Sequence, residues 1–394
     1  MQIKGFTAAA VKAGIRYGDR LDLGLIYSRI PAVAAGVFTT NTVKAAPVQL
    51  SSRRLRQGKA QAILVNSGNA NACCGPRGMQ AAVDISAMAA EALGIDEDLI
   101  QIASTGVIGE QLDVGCFRRA MPRLVEKLAA DGIADVADAI MTTDTKPKLS
   151  HRSIKVGGTE VRLLGMAKGA GMIMPNMATM LSFLLTDARI VFPALNKILH
   201  NSVARSFNRI TVDGDTSTND TLLIMANGAA ENPWIDEENP RWINRFEEAV
   251  DAICKELALK IVADGEGATK LATIRVTGAR DAEDAEKGAR TIANSPLVKT
   301  AFFGEDANWG RVLAALGRSG CRFQEERVDL FFDEVKLVEN GCFLGADAEK
   351  RASEVMKKPR FTLTVDVKNG SETVEIHTCD LSDEYIRINA DYRT

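Results

Sequence analysis

Histidine is scarce in this chain. Its 394 residues include three, His151, His200 and His377, and none stands at ligand spacing from a cysteine or another histidine. A zinc site, or any other metal centre, is therefore not expected. So few imidazoles leave little material for a Ser-His-Asp triad, and the GxSxG, SxxK and HExxH signatures are missing as well. If the chain performs acyl chemistry, its base is not expected to be imidazole. Cysteine is sparse and scattered: Cys73 and Cys74 are adjacent, then Cys116, Cys254, Cys321, Cys342 and Cys379 follow, with no CxxC. An odd count at such wide spacing reads as reduced thiols in a cytosol.

Excess basic charge is lacking too. Lys and Arg total 48 against 51 Asp and Glu, a formal net charge of −3, so there is no electrostatic footprint for nucleic acid or an anionic membrane surface. The longest apolar stretches, such as residues 180–185 and 61–65, fall far short of the roughly 20 residues of a membrane span. The start, "MQIKGFTAAAVKAGIRYGDR", has no sustained apolar core, which argues against a cleaved signal peptide. Hydrophobic residues at 46% and charged residues at 25% are the balance of a globular protein, long enough here for two domains or one large one.

What is present is a mixture of strands and helices. Residues 61–69, "QAILVNSGN", read as a buried strand ending in turn chemistry, and 78–93 as an Ala- and Met-rich helix. Residues 101–110 are a short strand breaking into a Gly-bearing loop, and 117–130 an amphipathic helix. Strands are expected at 161–166, 180–186 and 221–228, with helices at 192–209 and 239–263. Towards the end, "FTLTVDV" and "TVEIHT" flank "KNGSE", whose Asn-Gly predicts a hairpin. Without a strict βαβ rhythm, α+β layers are favoured over a doubly wound sheet.

Several stretches invite functional readings. In "TVDGDTSTND", Asp213, Asp215 and Ser217 alternate as in a calcium loop, but Thr218 replaces the required glycine and Ile224 the terminal glutamate. A solvated or substrate-edging turn is the default. "DGEGATK" lacks the full phosphate-loop pattern and follows a helix. The acidic run "DAEDAE" reads as a solvated helix start favoured by the helix dipole.

"AKGAGMIMPNMATMLSFLLTDA" is different: proline, asparagine and threonine crowd the start of an apolar strand. A threonine hydroxyl is a weak nucleophile unless a base sits beside it, and its own α-amine is one compact solution. That amine, with a pKa near ~7.7–8.0, is partly neutral at cellular pH. It becomes available only if the Ala178–Thr179 bond is cut, by attack of the Thr179 hydroxyl on the Ala178 carbonyl. A Met-rich core turn with a capped strand start is the alternative reading of the same residues.

"KGAGMIMPNMATML" closely resembles the signature of the ornithine acetyltransferase (ArgJ, glutamate N-acetyltransferase) family. "NSGNANACCG", "STGVIGE", "MTTDT", "SFNRITVDGDTSTNDT", "FFGEDANWGR" and "YIRINADYRT" look like further family blocks in family order, so the resemblance spans essentially the whole chain. It implies a self-cleaved enzyme of the N-terminal-nucleophile type in a layered α/β sandwich. An α chain, residues 1–178, and a β chain, residues 179–394, would share one core and pair into a heterotetramer. Thr179 would be the nucleophile and Ala178–Thr179 the cleavage site. Thr105 and Gly106 would form the oxyanion hole, a hydroxyl and a backbone N–H aimed at a tetrahedral intermediate. Substrate contacts would fall on Thr142 (or its neighbour Thr143), Lys168, Thr179, Glu266, Asn389 and Thr394. Lys168 would meet a substrate carboxylate and Glu266 a substrate ammonium.

The implied activity is cytoplasmic and belongs to arginine biosynthesis: acetyl moves from N2-acetylornithine to glutamate through an acetyl-Thr179 intermediate. No cofactor is required, and acetyl-CoA stays open as a second donor. Small molecules are the expected partners, with neither nucleic acid nor membrane. Two other classes fit parts of the pattern. A β-peptidyl aminopeptidase-like hydrolase would share the self-processing nucleophile, and a non-enzymatic amino-acid-binding protein would keep Lys168 and Glu266 without needing Thr179.

Overall fold

The computed structural model describes residues 2–174 and 180–391. The chain divides into two compact units, one of Met1–Asn208 and Asp215–Ile261, the other of Arg209–Gly214 and Val262–Arg393.

The first unit opens with β1 (Phe6–Val11) and the long β2 (Leu23–Phe38), followed by α1 (Ala46–Arg54) and β3 (Lys59–Asn66). Next come α2 (Gly75–Leu93), β4 (Ile100–Ser104), α3 (Val114–Glu126), α4 (Ile133–Ala139), β5 (Lys148–Val156) and β6 (Thr159–Lys168). The series closes with β7 (Leu181–Thr186), α5 (Phe192–Arg205), β8 (Thr221–Ala226) and α6 (Pro240–Ala263). Among the described residues these strands hydrogen-bond in the order β4-β3-β2-β8-β7-β6-β5, with β1 also on β2.

The long strand β2 organises the unit. Its first half pairs with β1 and its second half with β8, while β3 pairs with it on both sides of a break in register between Tyr27 and Ala32. There Arg29, Ile30 and Pro31 are exposed, and Pro31 lacks the N–H a continuous ladder needs. One apolar cluster joins Phe6, Ala8 and Ile26 to Leu164, Met166, Phe183, Leu223 and Met225, so strands from both halves share a core. Behind the first half, Leu23, Leu25, Leu64 and Ile102 meet Ala82, Ile85 and Ala89 of α2 and Phe117 and Met121 of α3. Behind the other half lies α6: a Cβ on Gly165 would come within 2.6 Å of Ile253 and 2.9 Å of Leu257. The glycine lets the helix approach the sheet.

The second unit carries β9 (Leu271–Ala279), α7 (Ala282–Ala293), α8 (Pro296–Phe303), α9 (Trp309–Gly317), β10 (Asp329–Phe332) and β11 (Val335–Glu339). It ends with β12 (Cys342–Phe343), α10 (Ala346–Met356), β13 (Arg360–Asp366), β14 (Glu372–Cys379) and α11 (Asp383–Asp391). The sheet order is β12-β11-β10-β13-β9-β14. Alternate residues such as Ile274, Val276, Leu363, Val365 and Ile376 enter one apolar core with α7, α8, α9 and α10.

Mixed α/β layers were expected, and two mixed sheets are found. Two local expectations need correcting. The "KNGSE" join does not close a hairpin: β9 lies between β13 and β14, parallel to the first and antiparallel to the second. The Asn-Gly turn instead wraps the end of β9, where Asn369 N–H donates to Gly278 O at 2.6 Å. The acidic helix start is not wholly solvated either. Asp281 caps α7 by accepting from the Asp284 amide, but Asp284 is itself buried, with Arg322 Nε 3.3 Å from its carboxylate. Among the described residues no helix is long and apolar enough to cross a membrane.

Candidate functional site

In the first unit, the ends of β4 and β6 and the segment before β5 bring three of the expected site residues together. β3 and β4 run parallel, with Asn66 opposite Ser104, and their terminal side chains are tied by Ser104 Oγ donating to Asn66 Oδ1 at 2.7 Å. Asn219 locks the same corner: its Nδ2 donates to Ala70 O at 2.6 Å and to Ser104 O at 2.8 Å. All three polar side chains are buried, and satisfied networks of this kind rigidify what they hold.

Thr105 and Gly106 follow at once. The Thr105 amide donates to Asn66 O at 3.0 Å and the Val107 amide to Gly68 O at 3.3 Å, so the loop is stitched down on either side of Gly106. Gly106 has φ +131°, and a Cβ there would lie 2.3 Å from the Gly68 carbonyl carbon. Only glycine fits this close approach. Its N–H donates to no group among the described residues.

Lys168, the last residue of β6, is 9% exposed. Its ammonium donates to Thr105 Oγ1 at 3.2 Å and to Thr142 Oγ1 at 2.9 Å. Because each hydroxyl accepts from the lysine, each keeps its own O–H to donate elsewhere. The arrangement thus presents a positive charge, two hydroxyls and the Gly106 N–H in one unit. Such donors suit a carboxylate or an oxygen on which negative charge develops.

Two residues not singled out in the sequence complete this cluster. Asp144 is 0% exposed at its side chain and Lys148 1%, with Lys148 Nζ 2.7 Å from Asp144 Oδ1. Burial pushes the Asp144 carboxyl up, but the nearby charges of Lys168 and Lys148, with hydrogen bonds from Lys148 and the Gly169 amide, hold it at about 2. The i,i+4 spacing in "DTKPK" was the available signal, but that spacing is ordinary for surface pairs, and Lys148 starts a strand.

Glu266 and Asn389 meet in the second unit. Glu266 is 8% exposed and accepts from Asn389 Nδ2 at 2.7 Å. The turn that bears it needs Gly267 (φ +67°), where a Cβ would fall 2.5 Å from Ser382 Oγ. Thr269 and Lys270 amides anchor the turn on Asp380, at 2.8 and 2.9 Å. Ala178, Thr179 and Thr394 lie outside the described residues. The chain is nonetheless held close on either side of the first two. Thr216 Oγ1 donates to Met174 O at 3.0 Å, and Lys168 is the ladder partner of Leu181, two residues beyond position 179.

Of the three histidines, His151 sits on β5 opposite Leu164. His200 Nδ1 lies 2.8 Å from Asn196 O within α5, and His377 Nδ1 lies 3.0 Å from Thr273 Oγ1. Among the described residues no cluster of three or more His, Cys, Asp or Glu could hold a metal ion.

A family model described as "ArgJ family" matches residues 7–394. The chain belongs to the ArgJ family. The arginine biosynthesis bifunctional protein ArgJ of Desulfotalea psychrophila is 55% identical over 394 residues, covering 100% of both chains. Its counterpart from Geobacter sulfurreducens is 50% identical with the same coverage. The crystal structure of the arginine biosynthesis bifunctional protein argJ from Bacillus halodurans matches with a TM-score of 0.51 and 41% identity. That match covers 53% of this chain and 98% of the other. ArgJ proteins form an acetyltransferase family of arginine biosynthesis, so this chain is an enzyme, an acyltransferase.

Proposed function

We propose that the enzyme moves an acetyl group from N2-acetylornithine to glutamate through an ester on Thr179, after cleaving its own chain at Ala178–Thr179. The reading rests chiefly on the Lys168 ammonium shared between the Thr105 and Thr142 hydroxyls, on the strand position that pairs with Leu181.

In the first half-reaction the Thr179 hydroxyl attacks the acetyl carbonyl carbon, and its proton passes to the Thr179 α-amine. The Thr105 hydroxyl and Gly106 N–H stabilise the oxyanion. The C–N bond then breaks, and ornithine leaves with the proton on its amine. In the second half-reaction the glutamate α-amine attacks the ester, giving N-acetylglutamate and restoring the hydroxyl. Lys168 and Thr142 hold a substrate carboxylate. Glu266, oriented by Asn389, takes an ammonium, with Thr394 as a further substrate contact. The transfer requires no cofactor, and acetyl-CoA serves as a second donor. The two cleaved chains remain together and pair into a cytoplasmic heterotetramer.

Cleavage at 178/179 divides 42.4 kDa into fragments of roughly 19 and 23 kDa in proportion to length. Purified active protein should show both on a denaturing gel, the larger beginning Thr-Met-Leu-Ser. Offered N2-acetylornithine and glutamate, it should release ornithine only as fast as N-acetylglutamate appears. A single intact band from active enzyme, or ornithine released with acetate instead, contradicts this reading.

A further inference from the structure

A buried ion pair is a poor device for stability, because desolvating both charges offsets most of their attraction. The Asp144–Lys148 pair, buried almost completely, therefore calls for another reason to exist. Its hydrogen bonds supply one. Asp144 Oδ1 accepts from Lys148 Nζ at 2.7 Å and from the Gly169 amide at 2.6 Å, while Oδ2 accepts from the Thr142 amide at 3.1 Å. One carboxylate thus grips the backbone of Thr142 and of the residue directly after Lys168. Those are the two segments whose side chains meet across the 2.9 Å Lys168–Thr142 bond.

We propose that Asp144 is the positioning residue of this site: its carboxylate fixes the Thr142 hydroxyl and the Lys168 ammonium in one geometry and keeps that ammonium charged. The proposal rests on the reading above, in which Lys168 and Thr142 bind substrate. Lys148 pairs with this carboxylate, and the nearby charge of Lys168 also favours its ionised form, so Asp144 is coupled to both ammoniums. Arg20 also faces this segment, and its guanidinium donates to Met141 O and Thr142 O. It adds positive charge beside the carboxylate at Asp144.

The test is Asp144→Asn beside Lys148→Met, with two readouts. Competitive acetic anhydride labelling of Lys168 across pH, followed by peptide mass spectrometry, reports the lysine's protonation without relying on turnover. In D144N the labelling midpoint should move down by about one pH unit or more, because the like-charged Lys148 remains and the Asp144 negative charge is gone. In K148M it should move up. Steady-state acetyl transfer by D144N should lose on the order of 10²-fold in kcat/KM, the scale of a misplaced binding group. A purely structural Asp144 would lower the melting temperature and leave the labelling midpoint where it was, and that result overturns the proposal. If D144N does not fold, K148M decides alone: a midpoint that stays or falls overturns it. A wild-type protein that shows the labelling behaviour but transfers no acetyl group would refute the proposed function and leave the role of Asp144 intact.

Discussion

Both units bury lysines, and the surroundings of Lys299 in one and Lys168 in the other differ. Lys299 of α8 is 3% exposed, and its ammonium is absorbed by Thr378 Oγ1 at 3.0 Å and by the main-chain carbonyl of Cys379, at the end of β14. Those partners are neutral and close a strand end. Lys168 meets two threonine hydroxyls that keep their protons, beside a carboxylate already shared with Lys148. The first lysine is used up by its fold. The second is held by hydroxyls that can still donate. Burial of an ionisable group alone therefore does not mark a site; what its partners still have to offer does.

The sharpest way to strain this contrast is at Thr105. In the proposed mechanism Thr105→Ala removes a donor aimed at developing charge, and such losses typically lower kcat by about 10²–10³-fold. Steady-state kinetics should show this with KM for glutamate little changed. A KM that rises while kcat holds would make Thr105 a ground-state contact. Lys299→Met should do the reverse, costing about 1–3 kcal/mol of stability by removing a charged donor from a buried carbonyl and hydroxyl. Denaturant unfolding measures that cost, and kcat of the folded enzyme should stay near wild type.

Acid provides a milder probe. Asp144 is held at about 2 when folded against an ordinary 3.8, so the folded state favours its ionised form. Its contribution is complete above the unfolded pKa and is lost as pH falls from about 3.8 through 2, a span worth on the order of 2 kcal/mol. Thermal unfolding of wild type should therefore lose stability across that window, and D144N should lack that component. The smallest effects belong to imidazole. His151→Ala, His200→Ala and His377→Ala should each retain most transfer activity, and loss of the first half-reaction in any one of them, folded and cleaved, would replace the amine base with a histidine.

The parts of the fold carried by periodicity were legible in the sequence. Apolar strands such as β3 and β7 and the face of α6 declare themselves because one side chain in two, or one stripe in 3.6, must leave water. β2 did not, since Arg29, Ile30 and Pro31 interrupt its pattern where the strand passes from β1 to β8. The β13–β14 join misled because Asn-Gly specifies a turn but not which strand the turn goes around. In the site, Thr105, Thr142 and Lys168 were named from motif resemblance, and the structure sets them within hydrogen-bonding reach. Asp144 and Lys148 escaped notice because nothing local distinguishes a buried ion pair from an exposed one. Their setting comes from pairing with a later segment: Lys148 lies opposite Ala167 of β6, and the Gly169 amide donates to Asp144.

The central claim is that Thr179 carries the acetyl group between substrates. The most direct measurement is to incubate the purified enzyme with N2-acetylornithine and no glutamate, quench in acid, and weigh the fragments by mass spectrometry. The account predicts that the C-terminal fragment gains the mass of one acetyl group, mapped to the Thr179 side chain and lost again on adding glutamate. An unmodified fragment released alongside a stoichiometric burst of ornithine, or an acetyl group mapped to any other residue, would contradict it.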